Sequence, residues 1–185
     1  MKNIKGTLPN ILTLINLSLG VIAILLAVDA ERNNANQLFQ ASLLVMIAAL
    51  TDRFDGKVAR LLDVTSDLGK ELDSLSDLIS FGVAPVIIAW KVNDYTSIGF
   101  LGYLIAVIFP VAGAYRLARY NITTFDNVFR GIPITIAGAF LSIMNLYSCF
   151  LILRKNYSNI HSYITIGLVI LLSFLMVSKI KFKKI

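Results

Sequence analysis

Six apolar stretches, Asn10–Val28, Leu38–Leu62, Glu71–Lys91, Ile98–Tyr120, Gly131–Leu153 and Ile160–Ser178, take up most of this sequence. Each is close to the ~20 residues a helix needs to cross the hydrocarbon core of a bilayer. Backbone in hydrocarbon must satisfy its own hydrogen bonds, which restricts spanning structures to helices and closed barrels, and runs of this length suit helices. The expectation is an all-α polytopic membrane protein with six transmembrane helices in a single domain, residues 1–185. Composition agrees, because 57% hydrophobic and 15% charged residues with a mean hydropathy of +0.76 exceed what a soluble domain carries. Lys2 and Lys5 precede the first stretch as they would a signal peptide, but its apolar run is too long for one, so it reads as a retained helix. No internal repeat, low-complexity tract or Pro/Gly/Ser linker divides the chain.

Basic residues orient the bundle, since Lys and Arg near helix ends stay cytoplasmic. Of the seventeen, only Arg32, Lys91, Arg154 and Lys155 fall on one side, and the other thirteen fall opposite, which predicts both termini in the cytoplasm. The formal charge of +6 is itself divided, with residues 52–77 holding seven acids against four bases. Much of the positive excess elsewhere is anchoring: Lys179, Lys181, Lys183 and Lys184 suit anionic lipid headgroups, and no nucleic-acid partner is expected. The single cysteine, Cys149, and single histidine, His161, exclude a disulfide framework and a zinc cluster.

The acids of that central segment follow a pattern. Asp52, Asp55, Gly56, Ala59, Arg60, Gly69, Asp73 and Asp77 spell D-x2-D-G-x2-A-R-x8-G-x3-D-x3-D. Carboxylates near hydrocarbon are costly, and four at helical spacings on two consecutive apolar segments imply a task. Asp52 and Asp55 are three apart and Asp73 and Asp77 four apart, so each pair shares a helix face. Asp52 lies fourteen residues past Leu38 and Asp77 fourteen before Lys91, roughly 21 Å from the outer end of each helix at 1.5 Å per residue. Antiparallel neighbours would bring Asp52 level with Asp77 and Asp55 level with Asp73. Four carboxylates that close raise one another's pKa, a conflict that a bound divalent cation removes. All-oxygen ligation favours Mg²⁺, then Mn²⁺, with Ca²⁺ also compatible. Gly56, Ala59 and Gly69 leave room for a ligand or a facing helix to approach the backbone, and Arg60 offers a planar fork for phosphate oxygens.

This eight-residue pattern resembles, with no position missing, the signature of the CDP-alcohol phosphotransferases, membrane enzymes that move a phosphatidyl or similar group from a CDP-linked donor to an alcohol. The resemblance implies six transmembrane helices, a cavity open to the cytoplasm, a homodimer and two divalent ions. Matched by motif position, Asp52, Asp55 and Asp73 are implied metal ligands, and Asp77 a general base that also touches the metal site. Gly56, Ala59 and Gly69 match positions packed against the cytidine nucleotide, Arg60 one near the phosphates, and Asp52 serves that side too. The stretch Pro9-Asn10-x-x-Thr13 is similar to the family's first helix, with the N-terminal residues along the membrane surface, and adds Asn10 and Thr13 to the nucleotide side; helix capping explains both equally well.

Within the family, Asp73 to Pro85 is similar to the phosphatidylserine synthase branch, as are Arg116-Leu117-Ala118-Arg119-Tyr120-Asn121 and Phe129-Arg130-Gly131-Ile132-Pro133. That similarity implies CDP-diacylglycerol or CDP-archaeol as donor and L-serine as acceptor, with Arg116, Arg119 and Arg130 as candidate acceptor-binding residues. Those arginines would equally suit inositol phosphate or glycerol phosphate in a sister transferase. A divalent-cation transporter is a more distant alternative. It needs polar residues through the full depth, and Leu38–Leu50 and Ile79–Trp90 hold none that is charged.

Overall fold

A computed structural model describes the backbone of residues 2–31, 35–62, 66–122 and 128–183, and the side chains of residues 9–31, 35–54, 66–122 and 131–180. Seven helices appear among these residues: α1 (Lys2–Asp29), α2 (Ala35–Leu62), α3 (Asp67–Asp77), α4 (Ala84–Val92), α5 (Phe100–Ile122), α6 (Ile134–Leu153) and α7 (Asn159–Val177). A π-helical turn, Leu78–Val83, joins α3 to α4 into one 26-residue span. Five helices, counting α3–α4 as one, are long and apolar enough to cross a membrane, the make-up of a multi-pass membrane protein.

The expected second span is present as α2, a 28-residue helix, but it is not among those five. Asn36, Gln37 and Gln40 at one end and Asp52 and Arg53 towards the other leave a shorter purely apolar window than the expected Leu38–Leu62 implied. Other boundaries shift by one to four residues, except that α1 runs unbroken from Lys2, eight residues ahead of Asn10. The expectation of an all-α fold holds, with one short ladder beside the helices among the described residues. Val128–Arg130 (β1) and Lys181–Lys183 (β2) pair antiparallel, with Phe129 opposite Phe182.

Helix α1 packs along α2, α2 along α6, α6 against α4, and α3–α4 back against α1, closing a four-membered ring; α5 and α7 pack together on its flank. Small residues make this closeness possible. Helix α1 buries Thr13, Asn16, Gly20, Ala23 and Ala27, and α2 buries Leu38, Ala41, Val45 and Ala48. Both series alternate steps of three and four, the seam of helices packed at a shallow angle. In lipid such association rests on close van der Waals contact rather than on a hydrophobic driving force, so residues without bulk are what the seam requires. Extending the α2 series by four residues reaches Asp52.

The π turn has a local cause. Pro85 has no N–H to give the carbonyl of Phe81, so the hydrogen-bond register slips, and Ala84 N–H bonds Ile79 O five residues back. Asn145 on α6 donates to the Pro85 carbonyl at 2.8 Å. Gly138 packs on the Phe81 backbone, where a Cβ would lie 2.5 Å from the Phe81 carbonyl oxygen. The slip occurs directly beyond Asp77, at the depth where a transmembrane helix can least afford unpaired backbone.

Candidate metal centre

Two geometries converge at one end of the ring. The buried seam of α2 ends in Asp52, and Asp73 and Asp77 share a face of α3 one turn apart. One carboxylate oxygen from each of Asp52, Asp73 and Asp77 can be chosen so that all three lie within 4.8 Å of one another. Asp77 is only 8% exposed, and the other two are half-buried. Asp52 faces Asp77 across this gap, and Thr135 in the first turn of α6 lies beside it. Arg116 of α5, also 8% exposed, lies close enough to Asp77 for direct charge attraction. Its Nε has no hydrogen-bond partner among the described residues, and its guanidinium sits 5.9 Å from the Tyr120 ring centre. Asp77 and Arg116 are the only charged side chains among the fully buried described residues.

The group fits a divalent cation. Three carboxylates this close repel one another when ionised, and their arrangement is held either by shared protons or by a cation between them. Oxygen donors alone suit hard ions, and the spacing leaves an ion reachable from all three residues at once.

Serine hydroxyls hold α3 and the π turn in place. Ser76 Oγ donates to the carbonyl of Thr13 at 3.1 Å, and Ser80 Oγ to that of Asn16 at 3.0 Å. Gly20 lies against Ser80, and a Cβ there would collide with the Ser80 side chain and come within 2.8 Å of its Cα. These contacts press α1 onto the side of α3 next to the aspartates. At the first turn of α3, Ser66 caps the helix by accepting from Gly69 N–H at 3.0 Å.

Other expected site residues divide into three groups. Asn10 and Gly69 come together, since a Cβ on Gly69 would lie 3.0 Å from Asn10 Oδ1. Thr13 is buried on the α1 seam and donates to the Pro9 carbonyl at 3.1 Å, a helix-internal bond. The side chains of Asp55, Gly56, Ala59, Arg60 and Arg130 lie outside the described residues, although the backbone of the first four continues α2 and that of Arg130 ends β1.

Arg116 and Arg119 part company despite their shared helix. Arg119 reaches the end of α7, where its Nη1 donates to Val177 O at 2.9 Å and its Nη2 to Met176 O and Ser178 O at 3.4 and 3.3 Å. These are carbonyls that a helix end leaves without intrahelical partners, so Arg119 caps α7. His161 serves a capping box at the start of that helix. Thr135 was not anticipated. One hydroxyl in an apolar stretch carries no periodic signal, and only its place just after Gly131-Ile132-Pro133 could have drawn attention to it.

Comparison with known proteins adds to this geometry. Residues 6–178 match the family model described as CDP-alcohol phosphatidyltransferase. The chain is 40% identical over 149 residues to a CDP-diacylglycerol–serine O-phosphatidyltransferase of Bacillus subtilis, covering 80% of this chain and 76% of that protein. It is 35% identical over 184 residues to the protein of that name from Helicobacter pylori, covering 96% and 73%. It is also similar to an archaetidylserine synthase of Methanothermobacter thermautotrophicus, at 32% identity over 182 residues, covering 96% and 70%.

Proposed function

The chain belongs to the CDP-alcohol phosphatidyltransferase family, and from that premise we propose the following reading of its chemistry. It is a transferase of phospholipid synthesis. It moves a phosphatidyl group, or the archaetidyl equivalent, from a CDP-linked lipid to the hydroxyl of L-serine and releases CMP. The observation that carries the reading is the meeting of Asp52, Asp73 and Asp77 within 4.8 Å at the end of a buried helix seam.

The ions that suit these donors are Mg²⁺ or Mn²⁺, two of them, with Asp55 joining the other three aspartates as a ligand. When bound, they supply charge neutralisation at the donor's pyrophosphate and ease the departure of CMP. The chain's own residues do the rest. Serine's hydroxyl oxygen attacks the phosphorus that carries the lipid; the new P–O bond forms as the bond to CMP breaks. Asp77 takes the hydroxyl proton, work for a carboxylate within hydrogen-bond reach of a nucleophile that is weak at neutral pH. Arg116, beside Asp77, attracts the serine carboxylate, and Arg130 serves the same acceptor side. The cytidine end of the donor lies along Asn10, Gly56, Ala59 and Gly69, with Arg60 on its phosphates. The lipid tails stay in the bilayer throughout.

The reading extends to topology: six transmembrane helices with α2 among them, a single domain, both termini and the metal centre on the cytoplasmic side of the cell membrane, and a homodimer. The thirteen-to-four division of basic residues supports that orientation. A cation path across the membrane has less support, because the buried charges are Asp77 and Arg116 at one end, with no fully buried charged side chain among the described residues beyond them. The test is purified protein given CDP-diacylglycerol and one alcohol at a time, with CMP release measured. Serine should support release. Release with inositol phosphate or glycerol phosphate and none with serine would move the chain to a sister activity.

A further inference from the structure

We propose that Thr135 is a positioning residue of the metal centre: its hydroxyl, fixed in space by the way the head of α6 is built, orients the Asp52 carboxylate towards the ion. The inference rests on the reading that Asp52, Asp73 and Asp77 hold a divalent cation. It begins from the place of Thr135 in the first turn of α6, beside Asp52 at the end of α2, where these two helices pack together. A carboxylate on a helix swings about two side-chain torsions, and a fixed partner on one oxygen aims the other. Thr135 suits this because a β-branched side chain in a helix has few rotamers.

What makes Thr135 a fixed partner is the anchoring of the residues around it. Ile134 fills a notch formed by two glycines. A Cβ on Gly113 of α5 would lie 2.5 Å from Ile134 Cδ1, and one on Gly82 of the π turn 3.3 Å from the same atom. On the other side of Pro133, the chain is tied to the end of α7. Gly131 N–H donates to Ile180 O at 3.1 Å and Ile132 N–H to Leu175 O at 3.3 Å. Gly131 adopts φ +78°, where a side chain is strained, and a Cβ there would run into the Met176 carbonyl. The β1–β2 pairing continues this seam, and Arg119 binds the adjacent carbonyls of residues 176–178. Helix α6 therefore starts at a point set by α5, the π turn and the C-terminal segment together. Thr135 delivers that position to Asp52.

The experiment uses full-length protein purified in detergent and titrated with Mn²⁺, with free ion read by electron paramagnetic resonance and thermal unfolding measured alongside. Thr135→Val keeps the shape and removes the hydroxyl; Thr135→Ser keeps the hydroxyl. Thr135→Val should weaken Mn²⁺ binding about 10- to 100-fold, as loss of an outer partner to a metal ligand does, with the ion-free melting temperature held. Thr135→Ser should bind nearly as the unsubstituted protein does. Unchanged affinity in Thr135→Val, or equal weakening in both variants, overturns the inference while leaving the metal reading intact. Failure of the unsubstituted protein to bind Mn²⁺ overturns the metal reading, and this inference with it.

Discussion

Asp52 and Asp77 bring carboxylate oxygens within 4.8 Å of each other although they stand on different helices, one at the end of the α2 seam and the other just before the π turn of the next span. Two carboxylates keep such company only around a proton or a cation. With Asp73 drawn into the same 4.8 Å, the arrangement favours the cation, and it separates the roles of the three residues. Asp77 is the most buried and the one beside a positive charge, Arg116, whereas Asp52 and Asp73 are half-buried.

Asp77→Asn keeps size and an oxygen ligand but cannot take a proton. Single-turnover CMP release should slow about 10²- to 10⁴-fold, the usual contribution of a general base, with CDP-lipid binding largely kept. Asp73→Ala should instead lose Mn²⁺ binding. If Asp77→Asn loses donor binding and shows no separate chemical defect, Asp77 is a ligand and nothing more.

The two arginines of α5 should behave differently. Arg116→Gln is expected to raise the apparent KM for serine about tenfold, with less effect on the CDP-lipid, because a contact made in the ground state and transition state alike is lost. Arg119→Gln should leave the serine KM in place and lower stability by about 1–2 kcal/mol through the lost cap on α7. Steady-state kinetics and melting curves on both variants check this, and a serine defect confined to Arg119→Gln would reverse the assignment.

Packing along α1 gives a prediction with an internal control. Gly20→Ala must push against Ser80 and should cost about 1–3 kcal/mol, the range for overpacked interiors. Gly167→Ala meets nothing within 4 Å and should be neutral or slightly stabilising in its helix. Equal melting temperatures for the two variants would show that α1 and the π turn are not pressed together at Ser80.

The orientation can be checked by fusing a reporter after Ile185. Signal accessible from the cytoplasm is expected, and one accessible only from outside would invert the bundle and the side on which the metal centre works.

Much of this architecture was legible in the sequence because bilayer thickness and the helical repeat are strict rulers. Counting residues inward from Leu38 and Lys91 placed Asp52 and Asp77 at one depth, and their carboxylate oxygens come within 4.8 Å. Other features depend on which neighbour lies across from a residue, and no count reveals that. Arg116 and Arg119 share a face, so spacing alone could not tell which would meet Asp77 and which the end of α7. Thr135 matters only because α6 starts where Ile134 plugs Gly82 and Gly113. Pro85 did carry a signal, since a proline inside a spanning segment must disturb the register, but whether it kinks the helix or inserts a π turn depends on what pairs the freed carbonyls. The short β1–β2 ladder joins two three-residue segments too brief to announce themselves as strands.

Incorporation of radiolabelled serine into extractable lipid, by purified protein supplied with CDP-diacylglycerol, tests the central claim most directly. With chelator present no label should enter the lipid, and Mg²⁺ or Mn²⁺ should restore incorporation in the unsubstituted protein but not in Asp73→Ala. Undiminished incorporation in chelator, or full activity of Asp73→Ala, would contradict the account.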